Sequence, residues 1–469
     1  PADAAPRRRR AAHPGAARAR RRRTAAAPGA AAAHRVGDRS PRRGRYRRDT
    51  SPAIDRFAEE ATRFEWVFAQ APNTPPSQAS ILTSLYPGAH GRWDNDHRLP
   101  DAAETLAEVL SANGYRSAAF TDGGLMAAGF GMEQGFESYD DAAGGFEAIG
   151  PKAMDWIDQH LERKVPEPFF LMLHTYDIHA PYEETPHRFA SAFLDDLDAR
   201  PSRTFRQRPT NEMLDLFAQR GDGPLTLDRA DLEFAKALYD GGILHVDHWF
   251  ARLRGFLEAR GLWDQMIVAI ISDHGEAFLE HGHIFHDQVH AEVARIPLIL
   301  GFPDDRGTGR LVDTVVESID LMPTLLEAVG LEPTADGQGR SLLPLIDGEP
   351  GGRRVAFSET PVQGGSTAVT TGEHRWVRLH GTPPRLYRYR DDPLEQLDIA
   401  SRHADEAERL AALGERWRRS SRRFQFEAET VDLPPELREQ LVALGYVDVA
   451  PAPTNPAPTA PTPSNLALS

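Results

Sequence analysis

The sequence predicts an α/β fold in which a mostly parallel central sheet carries helices on both faces, followed by a small antiparallel subdomain. Three patterns support this prediction. Short apolar runs at residues 117–121, 168–176, 266–272 and 296–302 have the continuous hydrophobicity of strands that are buried on both faces. Amphipathic stretches alternate with these runs, which is the order of elements in a parallel sheet with helical crossovers. Residues 353–392 then have the pattern of strands with no helix between them.

The predicted elements begin at about residue 50. The first helix is predicted over residues 51–62, with Ser51 as its cap and Pro52 in its first turn. The other amphipathic helices are predicted over residues 105–115, 150–163, 227–261, 320–330, 404–419 and 435–444. The chain therefore divides into four predicted parts: a disordered Arg/Ala-rich segment at 1–45, an α/β domain at 46–350, a C-terminal subdomain at 351–449, and a disordered Pro/Thr tail at 450–469.

Composition excludes several classes of protein. The 469 residues include no cysteine, which excludes disulfides, thiolate zinc sites and cysteine nucleophiles. No apolar run reaches the ~18 residues that a membrane-spanning helix needs. The composition is that of a soluble globular protein without a transmembrane segment, and it indicates neither the compartment nor the oligomeric state.

Charge is divided unevenly along the chain. Residues 1–50 contain 16 Arg and 3 Asp, a net charge of +13, so the remainder carries −28 of the overall −15. Because residues 1–45 lack large aliphatic side chains, we expect them to be disordered and to make no ordered core contact. They also lack the apolar region of a secretory signal. A basic arm for nucleic acid or a membrane is the alternative, but so acidic a body argues against a nucleic-acid partner.

Polar residues follow two of the predicted strands, at the sheet edge where α/β proteins bind ligands. Asp273 and His274 come directly after the strand at 266–272. A carboxylate and an imidazole there are natural ligands for a divalent cation, although a simple turn has the same pattern. His179 follows the strand at 168–176 and is a candidate donor to an anion or an ordinary loop residue.

Two further groups are candidate functional residues. Thr74 occupies the predicted N-cap of a helix, where its hydroxyl would lie beside unpaired backbone N–H groups that can bind a tetrahedral anion. The same pattern also describes a helix that is merely well capped. A second group consists of histidines that are metal or anion ligands, or part of a polar loop: His281, His283, His286 and His290.

Together these segments resemble the sulfatase family of the alkaline phosphatase superfamily, over residues 44–449. The stretches NTPPSQASILTSLYPGAHG, PFFLMLHTYDIHAPY and ISDHGEAFLEHGHIFH resemble its nucleophile, anion-binding and metal-binding segments. Later matches are VESIDLMPTLLEAVGL, RLYRYRDDPLEQLDIAS and LREQLVALGYVD, in the order of the family. The resemblance implies an alkaline phosphatase-like fold and a metal-dependent hydrolase of sulfuric or phosphoric esters, with a small-molecule or polymeric ester as substrate.

The resemblance also implies roles for individual residues. The nucleophile falls on Thr74, the metal ligands fall on Asp273 and His274, and His179 and His286 fall on residues that bind substrate and assist catalysis. Gln78, at the fifth position of the nucleophile motif, is the remaining substrate-binding candidate. Mixed oxygen and nitrogen ligands suit zinc or manganese at least as well as calcium or magnesium.

Two departures from the family pattern shape the functional prediction. Formylglycine forms only from Cys or Ser with Arg at the fifth position, so Thr74 and Gln78 exclude it and a direct threonine nucleophile favours phosphate esters. The family's first strand and the acidic pair that completes its metal site are missing from residues 1–45. A shifted reading frame in GC-rich DNA would give this composition, and a remodelled N-terminus is the alternative. We therefore expect little turnover, and the alternative is a catalytically impaired binding module.

Overall fold

The fold was analysed in a computed structural model, which describes residues 23–27, 48–165, 167–182, 186–194, 197, 201–202, 227–351, 355–360, 365–421, 426–427 and 429–444. The strands are β1 (Arg23–Ala27), β2 (Thr62–Phe68), β3 (His97–Arg98), β4 (Arg116–Phe120), β5 (Ser138–Asp140), β6 (Phe169–Leu173), β7 (Met266–Ile271), β8 (Ala277–Phe278), β9 (Ile284–Phe285), β10 (Arg295–Gly301), β11 (Leu311–Glu317), β12 (Val355–Thr360), β13 (Ser366–Thr371), β14 (Arg375–Arg378), β15 (Arg385–Tyr387) and β16 (Glu429–Thr430).

The helices alternate with these strands. They are α1 (Pro52–Glu60), α2 (Thr74–Thr83), α3 (Pro87–His90), α4 (Leu106–Ala112), α5 (Gly145–Leu161), α6 (His187–Ala190), α7 (Arg229–Glu258), α8 (Ala291–Ala294), α9 (Leu321–Ala328), α10 (Leu343–Ile346), α11 (Ala404–Ser421) and α12 (Pro435–Ala443). None of the helices in the described part of the chain combines the length and the hydropathy that a membrane-spanning helix requires.

The central sheet has eight strands in the order β11-β2-β10-β7-β1-β6-β4-β5. Only β10 runs antiparallel to its neighbours, β2 and β7, and every other pair in this sheet is parallel. The predicted α/β fold with a mostly parallel sheet is therefore confirmed.

Strand β1 contradicts the prediction that residues 1–45 make no ordered contact with the core. Arg23–Ala27 pairs in parallel with both β6 and β7, in the middle of the sheet. The prediction relied on the absence of large aliphatic side chains, whereas strand pairing uses backbone N–H and C=O groups that every residue here possesses. The rest of residues 1–45, and the tail at 450–469, lie outside the described residues.

Strands β6 and β7 are buried on both faces, as their continuous apolar sequence predicted. In β7, Val268 and Ile270 face a core formed with α1, α5 and α7, while Ile267 and Ile271 face a second core formed with α2, α4 and α9. This alternation follows from the two-residue period of a strand. Helices therefore cover both faces, and the carboxyl edge of the sheet remains for the functional site.

The C-terminal part forms the predicted antiparallel subdomain. Strands β12, β13, β14 and β15 make a four-stranded sheet in chain order, and α11 packs against it. Its core continues into the α/β part: the Tyr86 and Trp417 rings lie 5.1 Å apart, and Trp417 stacks on Phe357 at 4.6 Å. The subdomain thus packs against Tyr86, in the segment between α2 and α3.

Candidate active site

The site lies at the carboxyl edge of the central sheet, where three distant segments meet. Asp273 and His274 follow the end of β7, His179 lies in the turn after β6, and Thr74 begins α2. All four side chains are buried. Thr74 Oγ1 is 3.3 Å from His274 Nε2, and that nitrogen is 3.7 Å from Asp273 Oδ2. The structure therefore brings together residues that the sequence places up to 200 positions apart.

The start of α2 differs from the prediction in one respect. Asn73 is the N-cap, with extended backbone, and Thr74 is the first helical residue. Pro75 and Pro76 have no N–H, so this first turn offers fewer backbone donors to an anion than was expected. The helix is tied to the sheet by Ser77, whose hydroxyl donates to the Asp273 carbonyl at 2.6 Å. Thr74 is thus positioned by packing of α2 against the end of β7.

Three imidazoles cluster beside Thr74. One ring nitrogen from each of His179, His274 and His286 lies within 4.8 Å of the other two, and all three residues are buried. The His286 ring centroid lies 4.3 Å from that of His274 and 4.8 Å from that of His179. Gln78 is buried one helical turn after Thr74, and in the described structure it hydrogen-bonds to none of these histidines.

Backbone carbonyls fix the orientation of two of these rings. His274 Nδ1 donates to the Gly275 carbonyl at 2.9 Å, and His179 Nδ1 donates to the Ala180 carbonyl. Because a carbonyl can only accept, Nδ1 of each ring carries a proton. In the neutral form of the ring, Nε2 then has the lone pair that can bind a metal. His286 is oriented by a carboxyl instead, since its Nδ1 lies 3.2 Å from Glu276 Oε1.

The electrostatics of the site favour a cation. Burial lowers the pKa of His179 well below its ordinary value, and the neighbouring His286 and His274 lower it further. Burial alone would raise the pKa of Asp273, but the adjacent imidazoles of His274 and His174 bring it below its ordinary value. Burial raises the pKa of Glu276 to about 8. Imidazole nitrogens beside the Asp273 carboxylate form a donor set for a divalent metal.

His174 is a site residue that the sequence analysis missed. Its two ring nitrogens are buried without a hydrogen-bond partner in the described structure, and its ring packs edge-on against Tyr176 at 4.8 Å. Burial lowers the pKa of His174, and the charge of Asp273 acts in the opposite direction. The predicted strand ran to residue 176, but β6 ends at Leu173, so His174 is the first residue past the strand. The available signal was a histidine directly after four or five apolar residues.

The chain turns sharply after His274 because Gly275 has no side chain. A Cβ at Gly275 would lie 2.2 Å from the Glu292 carbonyl oxygen, and the Gly275 N–H donates to the Val293 carbonyl at 2.6 Å. This close approach holds the Asp273–His274 pair against the start of α8.

The donor set fits a divalent metal but differs from that of the family pattern. Both ring nitrogens of His174 are buried without a hydrogen-bond partner in the described structure, and such groups beside the Asp273 carboxylate are the kind that a metal satisfies. Strand β1 ends at Ala27 beside β6 and β7, and the residues that follow in sequence are Pro28 and Gly29, which have no carboxylate. The described site is therefore rich in nitrogen donors and poor in oxygen donors.

Comparison with known proteins gives consistent relatives. The family model described as Sulfatase matches residues 42–331. The multifunctional alkaline phosphatase superfamily protein PehA of Trinickia caryophylli is 25% identical, over 75% of this chain and 85% of its own length. The N-acetylglucosamine-6-O-sulfatase of Bacteroides thetaiotaomicron is 23% identical, over 64% of this chain and 67% of its own.

Solved structures share the fold. One, determined in complex with its substrate D-glucosamine-2-N,6-O-disulfate, has a TM-score of 0.69 at 20% identity and covers 86% of this chain and 98% of its own. The phosphonate monoester hydrolase of Agrobacterium radiobacter has a TM-score of 0.66 at 20% identity and covers 88% of this chain and 99% of its own. Both have the sheet and helical layers described above.

Proposed function

This chain belongs to the sulfatase family, in the alkaline phosphatase superfamily of ester hydrolases, and we propose that it cleaves phosphate esters with Thr74 as its nucleophile. The observation that carries the proposal is the contact of 3.3 Å between Thr74 Oγ1 and His274 Nε2, inside a buried group of imidazoles. The Thr74 hydroxyl thus lies next to His274 Nε2, the nitrogen that would bind the metal. Similarity to a phosphonate monoester hydrolase as well as to sulfatases is compatible with either ester class.

Asp273 and His274 would hold the divalent metal, and the geometry adds His179, whose Nε2 lone pair faces the same point. When bound, such a metal supplies Lewis acidity, which lowers the pKa of a hydroxyl and balances the charge of a phosphate. With His179 as a ligand, the metal would be held by one carboxylate and two imidazoles. Zinc or manganese therefore suits this donor set better than calcium.

The reaction then takes place at Thr74. The hydroxyl loses its proton to solvent, Oγ1 bonds to phosphorus, and the bond from phosphorus to the departing oxygen breaks while that oxygen takes up a proton. Water next cleaves the bond between phosphorus and Oγ1, which restores Thr74 and releases the phosphate. His286, oriented by Glu276 through Nδ1, presents its ring within reach of the substrate oxygens.

Threonine chemistry separates phosphate from sulfate. In the family, a formylglycine hydrate expels sulfate through its second hydroxyl, and a sulfated threonine has no such group. A phosphorylated threonine needs no elimination, because water attacks phosphorus directly. The substrate class that follows from Thr74 is a phosphate monoester or diester of small-molecule or polymeric origin.

The test compares 4-nitrophenyl phosphate, bis(4-nitrophenyl) phosphate and 4-nitrophenyl sulfate as substrates of the full chain with added zinc or manganese. We expect a phosphate ester to be turned over faster than the sulfate, and Thr74→Ala to lower that rate by at least about 100-fold. Thr83→Ala is the matched control, because Thr83 ends the same helix and its hydroxyl hydrogen-bonds to backbone groups, donating to the Ala79 carbonyl at 2.7 Å and accepting from the Leu85 N–H at 3.3 Å.

Two results would contradict the proposal. Faster turnover of the sulfate would show that threonine does not exclude sulfatase chemistry. No turnover of any ester, with inorganic phosphate still binding in calorimetry, would favour the binding module, for which the missing acidic pair is the specific argument.

A further inference from the structure

The histidine loop, residues 277–290, divides its imidazoles between two separate clusters. His286 belongs to the candidate active site, whereas His281 and His290 point to Glu395 in the C-terminal subdomain. Ligand atoms of His281, His290 and Glu395 all lie within 4.8 Å of one another. Neither the nucleophile nor the Asp273–His274 pair takes part in this second cluster.

The second cluster is tightly packed. The rings of His281 and His290 stack at 3.7 Å between centroids with only 7° between their planes. His290 Nδ1 lies 2.6 Å from Glu395 Oε2, and both side chains are almost fully buried. His281 is nine-tenths buried, and its Nε2 makes no hydrogen bond in the described structure; the Glu292 carboxylate lies 3.8 Å from that atom. A buried imidazole nitrogen facing a carboxylate without a bond to it indicates a missing partner.

The charges at this place leave room for a cation. Two buried carboxylates, Glu395 and Glu292, face the stacked rings, and one guanidinium, Arg375, lies 2.8 Å from Glu395 Oε1. Arg375 approaches one carboxylate oxygen, while His290 approaches the other. Gln288 donates to Glu292 Oε1 at 2.8 Å, so Glu292 Oε2 is the oxygen that faces His281, and a cation placed here would meet oxygens of both carboxyl groups.

We propose that His281, His290 and Glu395 form a second divalent-metal site, which takes zinc and fastens the histidine loop to the C-terminal subdomain. Two imidazoles and a carboxylate are a ligand set that zinc accepts, and Glu292 is a fourth donor beside His281. The loop also carries His286, so a metal here would hold that residue in position from the far side of the loop. The competing arrangement is a metal-free network, in which the stacked neutral rings are held by Glu395 and Arg375 alone.

The test measures the zinc content of the full chain by mass spectrometry after saturation with zinc and removal of the free ion. His290→Gln and the milder His281→Gln should each lose about one zinc ion per chain and the part of the increase in Tm that this ion gives. His283→Gln is the control, because His283 lies in the same loop outside the cluster, with 27% of its side chain exposed. Far-ultraviolet circular dichroism identifies any variant that fails to fold.

Asp273→Asn distinguishes the active-site metal from this second metal. The single variant should lose the active-site zinc ion, and the double variant with His281→Gln should lose a second zinc ion as well. The proposal is overturned if His281→Gln and His290→Gln fold and keep the zinc content of the unmodified chain. It is also overturned if His283→Gln loses as much zinc as they do. Loss of zinc from Asp273→Asn alone would support the proposed active site and reject the second site.

Discussion

At the scale of single residues, the site depends on groups that orient side chains rather than on the side chains alone. The Gly275 and Ala180 carbonyls set which nitrogen of His274 and His179 faces the metal position. The sequence could predict Asp273, His274 and His179 as candidates, because each follows an apolar strand. It could not predict the ring orientations, which result from backbone turns that only the folded chain defines.

Gly275→Ala tests the close approach behind the metal pair. The new methyl group would meet the Glu292 carbonyl oxygen at 2.2 Å, so the turn must open and displace Asp273 and His274. We expect the free energy of unfolding in urea to fall by about 1–3 kcal/mol, with loss of metal affinity. Gly255→Ala is the control, because a Cβ there has no atom within 4 Å and alanine favours a helix. Equal stability of the two variants would contradict this account.

At the scale of elements, the strands with continuous apolar sequence were predicted, and among those that were missed are β1, β2 and β11. β7 is apolar throughout, whereas β2 alternates Arg63 and Glu65 with buried aromatic residues, and the edge strand β11 contains the polar Asp313 and Thr314. β1 has no large apolar residue and was missed altogether. Sequence patterns report side-chain burial, and these strands owe their place to backbone pairing.

Helix α1 shows how a tertiary contact replaces a local one. Ser51 is its N-cap, as predicted, but the Ser51 hydroxyl donates to Asp55 at 3.1 Å, and it is Asp247, on α7, that accepts the N–H groups of Ala53 and Ile54. The capping function is thus supplied by a residue nearly two hundred positions away. No pattern around residue 51 contains that information.

Asp247 should make the stability of the chain depend on pH. Burial raises its pKa from 3.8 to about 6, although the N–H groups of Ile54 and Ala53 act in the opposite direction. The folded state therefore retains a proton that the unfolded state has lost, and this contribution to stability decreases as the pH rises from about 4 through 6. The free energy of unfolding of the unmodified chain minus that of Asp247→Asn should fall by about 1–3 kcal/mol between pH 4 and pH 7 in urea titrations. A difference that stays constant or grows would contradict this.

At the scale of the whole molecule, the site exists because the sheet brings distant segments to one edge. Thr74 and His274 are 200 residues apart and touch, and the second histidine cluster joins the α/β part to Glu395 of the C-terminal subdomain. The order of the family motifs predicted the first convergence. The second cluster could not be predicted from the sequence. The fold of the histidine loop decides whether each of its histidines turns toward the active site or toward the C-terminal sheet.

Strand β1 gives a prediction about the whole sheet. Its removal would leave β6 and β7 with unpaired backbone groups in the middle of the sheet, since both currently pair with Arg23–Ala27. A chain that begins at residue 46 should therefore show a lower Tm than one that begins at residue 21 and retains β1. Amide hydrogen exchange should be protected at residues 24–27 in the longer chain. Equal Tm values and rapid exchange there would restore the expectation of a disordered segment.

If Thr74 is the nucleophile, turnover passes through a covalent phosphoester on its hydroxyl, which acid quenching during turnover can trap. The full chain, with zinc or manganese and a saturating 4-nitrophenyl phosphate ester, is quenched within one turnover, digested and analysed by tandem mass spectrometry. We expect a phosphoryl group on Thr74, absent from Thr74→Ala and still present in Thr83→Ala. Turnover without any phosphoryl group on Thr74, or with that group on another residue, would contradict it.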